Sequence, residues 1–94
     1  MVLLISYDLN GHERPNAYRA VARAIEGASE DFRRPLYSQW LVVTKASPTA
    51  WREYLTQYMD ADDHLFICEV VRGRDGWLPG EVWDWLTANG AAYY

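Results

Sequence analysis

Apolar residues occupy both sides of the first extended segment. From Val2 to Leu9 the side chains of Leu3, Ile5, Tyr7 and Leu9 fall on one face, and those of Val2, Leu4, Ser6 and Asp8 on the other. The following stretch, NGHERPN, carries turn chemistry, with Gly11 free to adopt positive φ and Pro15 suited to a first helical turn. Tyr18, Val21, Ala22 and Ile25 then recur at helical spacing, which predicts an amphipathic helix over Pro15 to Ala28, with Gly27 near its stop. The run RPLYSQWLVVT is aromatic and β-branched and predicts one strand, bent near Pro35, with Leu36, Ser38, Trp40 and Val42 opposite Tyr37, Gln39, Leu41 and Val43. Ser47 as N-cap, Pro48 behind it and a stripe of Trp51, Tyr54, Leu55 and Tyr58 predict a second helix. An acidic turn, DADD, leads to a third apolar strand in which Leu65, Ile67 and Val71 oppose Phe66, Cys68 and Val70. A short helix with Val82, Trp85 and Leu86 on one side and Asn89-Gly90 as its stop closes the pattern.

This order predicts an α+β sandwich, a single ferredoxin-like (split βαβ) domain over residues 1–94 with a mainly antiparallel sheet, two helices on one face and a short C-terminal helical element. Such a sheet has four strands. The fourth comes either from splitting the 32–45 region or from the C-terminal tail, and the pattern leaves both open. Two helices cover one sheet face, yet every strand is apolar on both. A twofold-related copy is the preferred cover for the second face, and the C-terminal helix is the alternative.

Composition narrows the functional classes. Nine basic against thirteen acidic residues give a net charge of −4, the wrong sign for a protein that coats nucleic-acid backbone nonspecifically. The one cysteine, Cys68, lies in an apolar run and reads as a buried, reduced thiol, so no disulfide framework exists. Ser6 and Asp8 interrupt the first apolar run well short of the ~18 residues of a membrane span. A cytoplasmic protein without a membrane partner is the expectation.

Asp8 is the chief candidate for chemistry, because an acid ending an apolar strand serves either as a metal-holding carboxylate or as a polar end that caps the turn at Asn10-Gly11. Asp60, Asp62 and Asp63 lack the glycine and distal glutamate of a calcium loop, and Asp63 is expected to satisfy loop amides. His12 and His64 have no zinc-ligand spacing. Trp77, Trp83 and Trp85 fall within nine residues, more than a short helix buries alone, so a dimer or partner interface stands beside local packing as their expected role.

Three motifs in order, LISYDL, YSQWLVVT and DADDHLFICEV, resemble the SinR-family hypothetical proteins, which are similar to the small nuclease-like subunit of CRISPR spacer acquisition and to virulence-associated protein D. The resemblance spans residues 2–73. It implies a homodimer built sheet against sheet and, in catalytic members, a first-strand aspartate from each protomer holding a divalent metal at the dimer axis. Asp8 is the matching position. Ser38 matches a further family position.

Two close carboxylates repel unless a cation lies between them, and Mg²⁺ held by one or two carboxylates keeps waters able to attack a phosphodiester. The expected activity is therefore metal-dependent hydrolysis of RNA or DNA, with Arg14, Arg19, Arg33 and Arg34 the best phosphate contacts and Leu4, Trp40, Trp77, Trp83 and Trp85 at interfaces. No second acid stands near Asp8, since Glu13 lies across a glycine turn. The alternative is a non-catalytic dimer that binds a protein partner in a defence system, as a phage inhibitor or in a toxin–antitoxin module.

Overall fold

The computed structural model describes residues 1–10 and 14–90. Its elements run β1 (Val2–Asp8), α1 (Arg14–Ala28), β2 (Asp31–Leu36), β3 (Gln39–Val43), α2 (Pro48–Leu55), a 3₁₀ turn (Thr56–Tyr58), β4 (His64–Glu69) and α3 (Gly80–Ala88). The four strands form one antiparallel sheet in the order β2-β3-β1-β4. This is the ferredoxin-like α+β arrangement expected from the sequence.

The region read as one bent strand is a hairpin, so the split of 32–45 supplies the fourth strand. Leu36 pairs with Gln39 across a two-residue turn at Tyr37 and Ser38, and the register slips by one residue between Arg33 and Leu36. Pro35 lies within that slip. A proline donates no ladder hydrogen bond, and on the edge strand β2 a bulge removes the need for one.

The first core lies between the sheet and the pair α1 and α2. Leu3, Ile5 and Tyr7 from β1, with Leu9 just past its end, meet Trp40 and Val42 from β3, Val21 and Ile25 from α1, and Trp51 and Leu55 from α2. Large amphipathic rings enter this core because their polar atoms find partners. Trp40 Nε1 donates to Tyr7 Oη at 2.8 Å and Trp51 Nε1 to Thr44 Oγ1 at 3.1 Å. Burial pushes the Tyr7 hydroxyl pKa up, with the Trp40 hydrogen bond acting the other way. The Ser47 cap is as read from sequence, its side chain accepting from Ala50 N at 3.1 Å.

The second sheet face is covered in part by α3. Val82, Trp85 and Leu86 are buried against Val2 and Leu41, with Leu4, Val43, Val70, Leu78 and Trp83 packed around them. The expectation that a second copy covers this face is corrected for its Val2 and Leu41 end, where the C-terminal helix does so. Toward the other end of β1 the face is open: Ser6 is half-buried, Asp8 is exposed and Phe66 is 64 % exposed. Trp85 also donates Nε1 to Asp31 Oδ2 at 2.9 Å, while Arg33 reaches Glu81 at 2.7 Å and lies over the Trp85 ring. Burial dominates this docking, since each large apolar side chain contributes about 1.5–3 kcal/mol, whereas an exposed ion pair contributes about 0–1 kcal/mol.

The Trp40–Tyr7 pair is the most deeply placed polar contact of the core. Tyr7→Phe leaves a buried indole N–H without its partner and is expected to cost about 1–3 kcal/mol in urea unfolding, with no change of fold.

Candidate functional site at the end of the central strand

Asp8 ends β1 on the open part of the second face. Its register partner on β4 is His64, and Ser6, the preceding residue on the same face, pairs with Gln39 on β3 and Phe66 on β4. Tyr18 from α1 donates its hydroxyl to Asp8 Oδ1 at 3.5 Å and accepts Leu9 N at 3.2 Å. One helical phenol thus fixes the strand end.

The turn-capping role offered for Asp8 belongs to Asp63. Asp63 Oδ1 accepts Asn10 N at 2.8 Å and its Oδ2 accepts Asp60 N at 2.8 Å, while Asn10 Nδ2 donates to Asp62 O at 3.0 Å. Asp63 satisfies loop amides, as expected, and ties the end of β1 to the loop before β4. Asp8 is left to face solvent, with Tyr18 the one hydrogen-bond partner of its side chain among the described residues. Gly11, His12 and Glu13 lie outside the described residues, as does the Arg14 side chain.

The remaining candidates are scattered by the fold. Ser38 sits in the β2–β3 turn, half-buried, and its carbonyl accepts Tyr7 N at 3.1 Å. Arg33 is turned to α3, where it pairs with Glu81 and lies over the Trp85 ring. Arg19 is likewise hydrogen-bonded on its own helix, to Asn16 Oδ1 at 2.8 Å and Pro15 O at 3.4 Å. Arg34, the next residue of the strand, alternates to the opposite side. Its Nε donates to Tyr37 O at 2.7 Å and its guanidinium lies 4.7 Å from the Trp40 ring centre and 4.9 Å from that of Tyr37. Tyr37 in turn touches Tyr18, with ring centres 5.2 Å apart. The sequence did not single out Tyr18 or Tyr37 as neighbours of Asp8. The aromatic at the start of α1 and the YS pair of the hairpin were the available signals.

The predicted interface tryptophans separate as well. Trp40 belongs to the first core and Trp85 is buried under α3, so neither is available to a partner. Trp83 and Leu4 are half-buried, and Trp77 is 99 % exposed. Cys68, expected to be buried, is half-buried and lines a cleft on the second face.

No three acidic, histidine or cysteine side chains converge among the described residues. The donor chemistry fits only half a site, one carboxylate on an open face. A second copy of Asp8 would complete it.

The chain superposes on the crystal structure of Cas2 from Streptococcus pyogenes with a TM-score of 0.54 and 21 % identity, over 89 % of this chain and 92 % of that one. This likeness establishes the fold. No protein-family model and no curated protein matches the sequence. No helix among the described residues is long and apolar enough to cross a membrane.

The contact between Asp31 and α3 carries a pH signature. The Trp85 indole and then the Phe32 amide hold the Asp31 carboxyl below its ordinary range. Its folded pKa lies below the unfolded one, so its stabilising contribution is complete above the ordinary aspartate value of about 4 and is lost as pH falls through the lowered folded value. Asp31→Asn is expected to reduce stability at neutral pH and to flatten the acid limb below about pH 4 in denaturation measured against pH.

Proposed function

We propose that this protein is a Cas2-like, homodimeric subunit that hydrolyses RNA or DNA phosphodiesters with a divalent cation, Mg²⁺, between two Asp8 carboxylates. The observation that carries the reading is the position of Asp8. It ends the central strand of a Cas2-like fold, is exposed, lies beyond the part of the second face that α3 covers, and has Tyr18 as its side-chain hydrogen-bond partner among the described residues. In a dimer that pairs these open ends, Asp8 holds the cation together with its twofold copy. The bound cation supplies a water of lowered pKa and stabilises charge developing on phosphate oxygens.

The protomer's own groups do the rest. Tyr18 fixes the Asp8 strand end, while Arg34, on the Trp40 side of the sheet, has its guanidinium oriented by two aromatic rings and the Tyr37 carbonyl. Ser38 stands in the same hairpin turn, next to the backbone bond that fastens it to Tyr7.

A second reading, a non-catalytic dimer that binds a protein partner, is favoured by one observation. Arg33, which the sequence offers as a phosphate contact, is committed to Glu81 and Trp85, and the chain is acidic overall. That leaves few cations near Asp8 to seat a polyanion.

Cleavage of labelled single-stranded RNA and double-stranded DNA with Mg²⁺, Mn²⁺ or a chelator, run beside Asp8→Ala, separates the two readings. The catalytic reading expects metal-dependent cutting that falls at least about a hundredfold in the variant, within the range by which metal and general-base groups act. Metal should also raise the melting temperature of the wild type and not of Asp8→Ala, because only a site in the folded state gives that linkage. A folded wild type that neither cuts nor responds to metal leaves the protein-binding dimer.

A further inference from the structure

Trp77 is the most anomalous side chain on the surface. It is 99 % exposed, although its neighbours turn inward: Gly76 lies against the Trp83 ring and Leu78 packs with the second core. An indole in that position leaves about 150–250 Å² of largely apolar area in water. Beside it, on the second sheet face, a cleft of about 300 Å³ opens between β4, the segment 70–78 and α3, walled by Leu4, Leu41, Val70, Leu78 and Trp83 with Cys68 among them.

We infer that this cleft receives the Trp77 side chain of a second copy of the chain, and that the exchange is reciprocal. The cleft is at the lower bound of small-molecule sites, about 300–1,000 Å³, which suits one aromatic ring system better than a cofactor. Its apolar walls match the indole ring, and Glu69, Arg74 and Asp75, which also line the cleft, give it a polar margin. Trp77 adjoins the residue that lines the cleft, so donor and receptor lie at the same margin of the face. A twofold axis can satisfy both at once: each protomer gives one indole, receives one, and no unfilled cleft remains to propagate a chain of copies.

The same strip of surface continues along the strands. Leu4 and Cys68 in the cleft pair across β1 and β4, the next pair on that face is Ser6 and Phe66, and the last is Asp8 and His64. A copy seated over the cleft therefore also meets the exposed Phe66 ring and approaches Asp8. Two Trp77 indoles and two Phe66 rings supply an apolar centre for an interface that needs about 800 Å² from each partner. The inference rests on the homodimer of the proposed function and names the side chains that hold it.

Cys68 is the one cysteine of the chain and gives the test its readout. Sedimentation velocity over a concentration series is run together with the rate at which a thiol reagent modifies Cys68, for wild type and Trp77→Ala. Trp77 makes little contact within its own protomer, so the variant is expected to fold normally, as far-UV circular dichroism would verify. The expected result is a wild-type dimer whose Cys68 becomes protected over the concentration range in which the dimer forms. Trp77→Ala should dimerise at least about tenfold more weakly, the effect of removing a central aromatic anchor, with Cys68 correspondingly open.

A dimer that survives in Trp77→Ala with Cys68 equally protected overturns the inference and leaves the homodimer standing. A wild-type monomer with Cys68 open at every concentration overturns both. A monomer with Cys68 protected at every concentration, lost in Trp77→Ala, places the indole in its own cleft and also overturns the inference.

Discussion

A central strand that is apolar on both sides requires two covers, and the rest of the architecture follows from how this chain provides them. The odd-numbered side chains of β1, with Leu9 beyond its end, are sealed by two helices of ordinary amphipathic design. The even-numbered side begins apolar at Val2 and Leu4 and turns polar at Ser6 and Asp8. One short helix, α3, is long enough to cover only the apolar end. The division of that face into a covered and an open half is what exposes Asp8, while Tyr18 and the Asp63-tied loop keep its position fixed.

The same constraint explains why charged residues sit where they do. Asp31 and Arg33 on β2 face α3 and are joined to Trp85 and Glu81, so the helix is oriented by polar contacts at its margin and held by burial at its centre. Arg34, one residue along, emerges on the other side by the ordinary alternation of a strand, the side that Phe32 also faces. Two adjacent arginines thus serve unrelated ends, one stapling the C-terminal helix and the other lying on the aromatic surface that leads back toward Asp8.

Much of this was legible from periodicity. The two long apolar strands, the helix boundaries at Ser47-Pro48 and Asn89-Gly90, and the membership of the two faces of β1 all agree with the structure, because each follows from local spacing or from a cap whose chemistry is local. The hairpin at Tyr37-Ser38 was missed as a definite feature because it lacks the Gly or Asn that marks a two-residue turn, and Pro35 reads equally as a bend. The fates of Trp40 and Trp85 were hidden for a different reason. Indole serves cores and interfaces alike, and only the tertiary partners, Tyr7 and Asp31, decide which. The true cap of the Asn10 turn, Asp63, lies more than fifty residues away, beyond the reach of any local pattern.

The central claim is that two Asp8 side chains meet across a twofold axis. The most direct test is intermolecular disulfide formation by Asp8→Cys in a Cys68→Ala background, with Thr49→Cys, on the opposite side of the sheet, as control. The account predicts rapid oxidation to a covalent dimer through position 8 and none through position 49. A folded protein in which position 8 cross-links no faster than position 49 would contradict it.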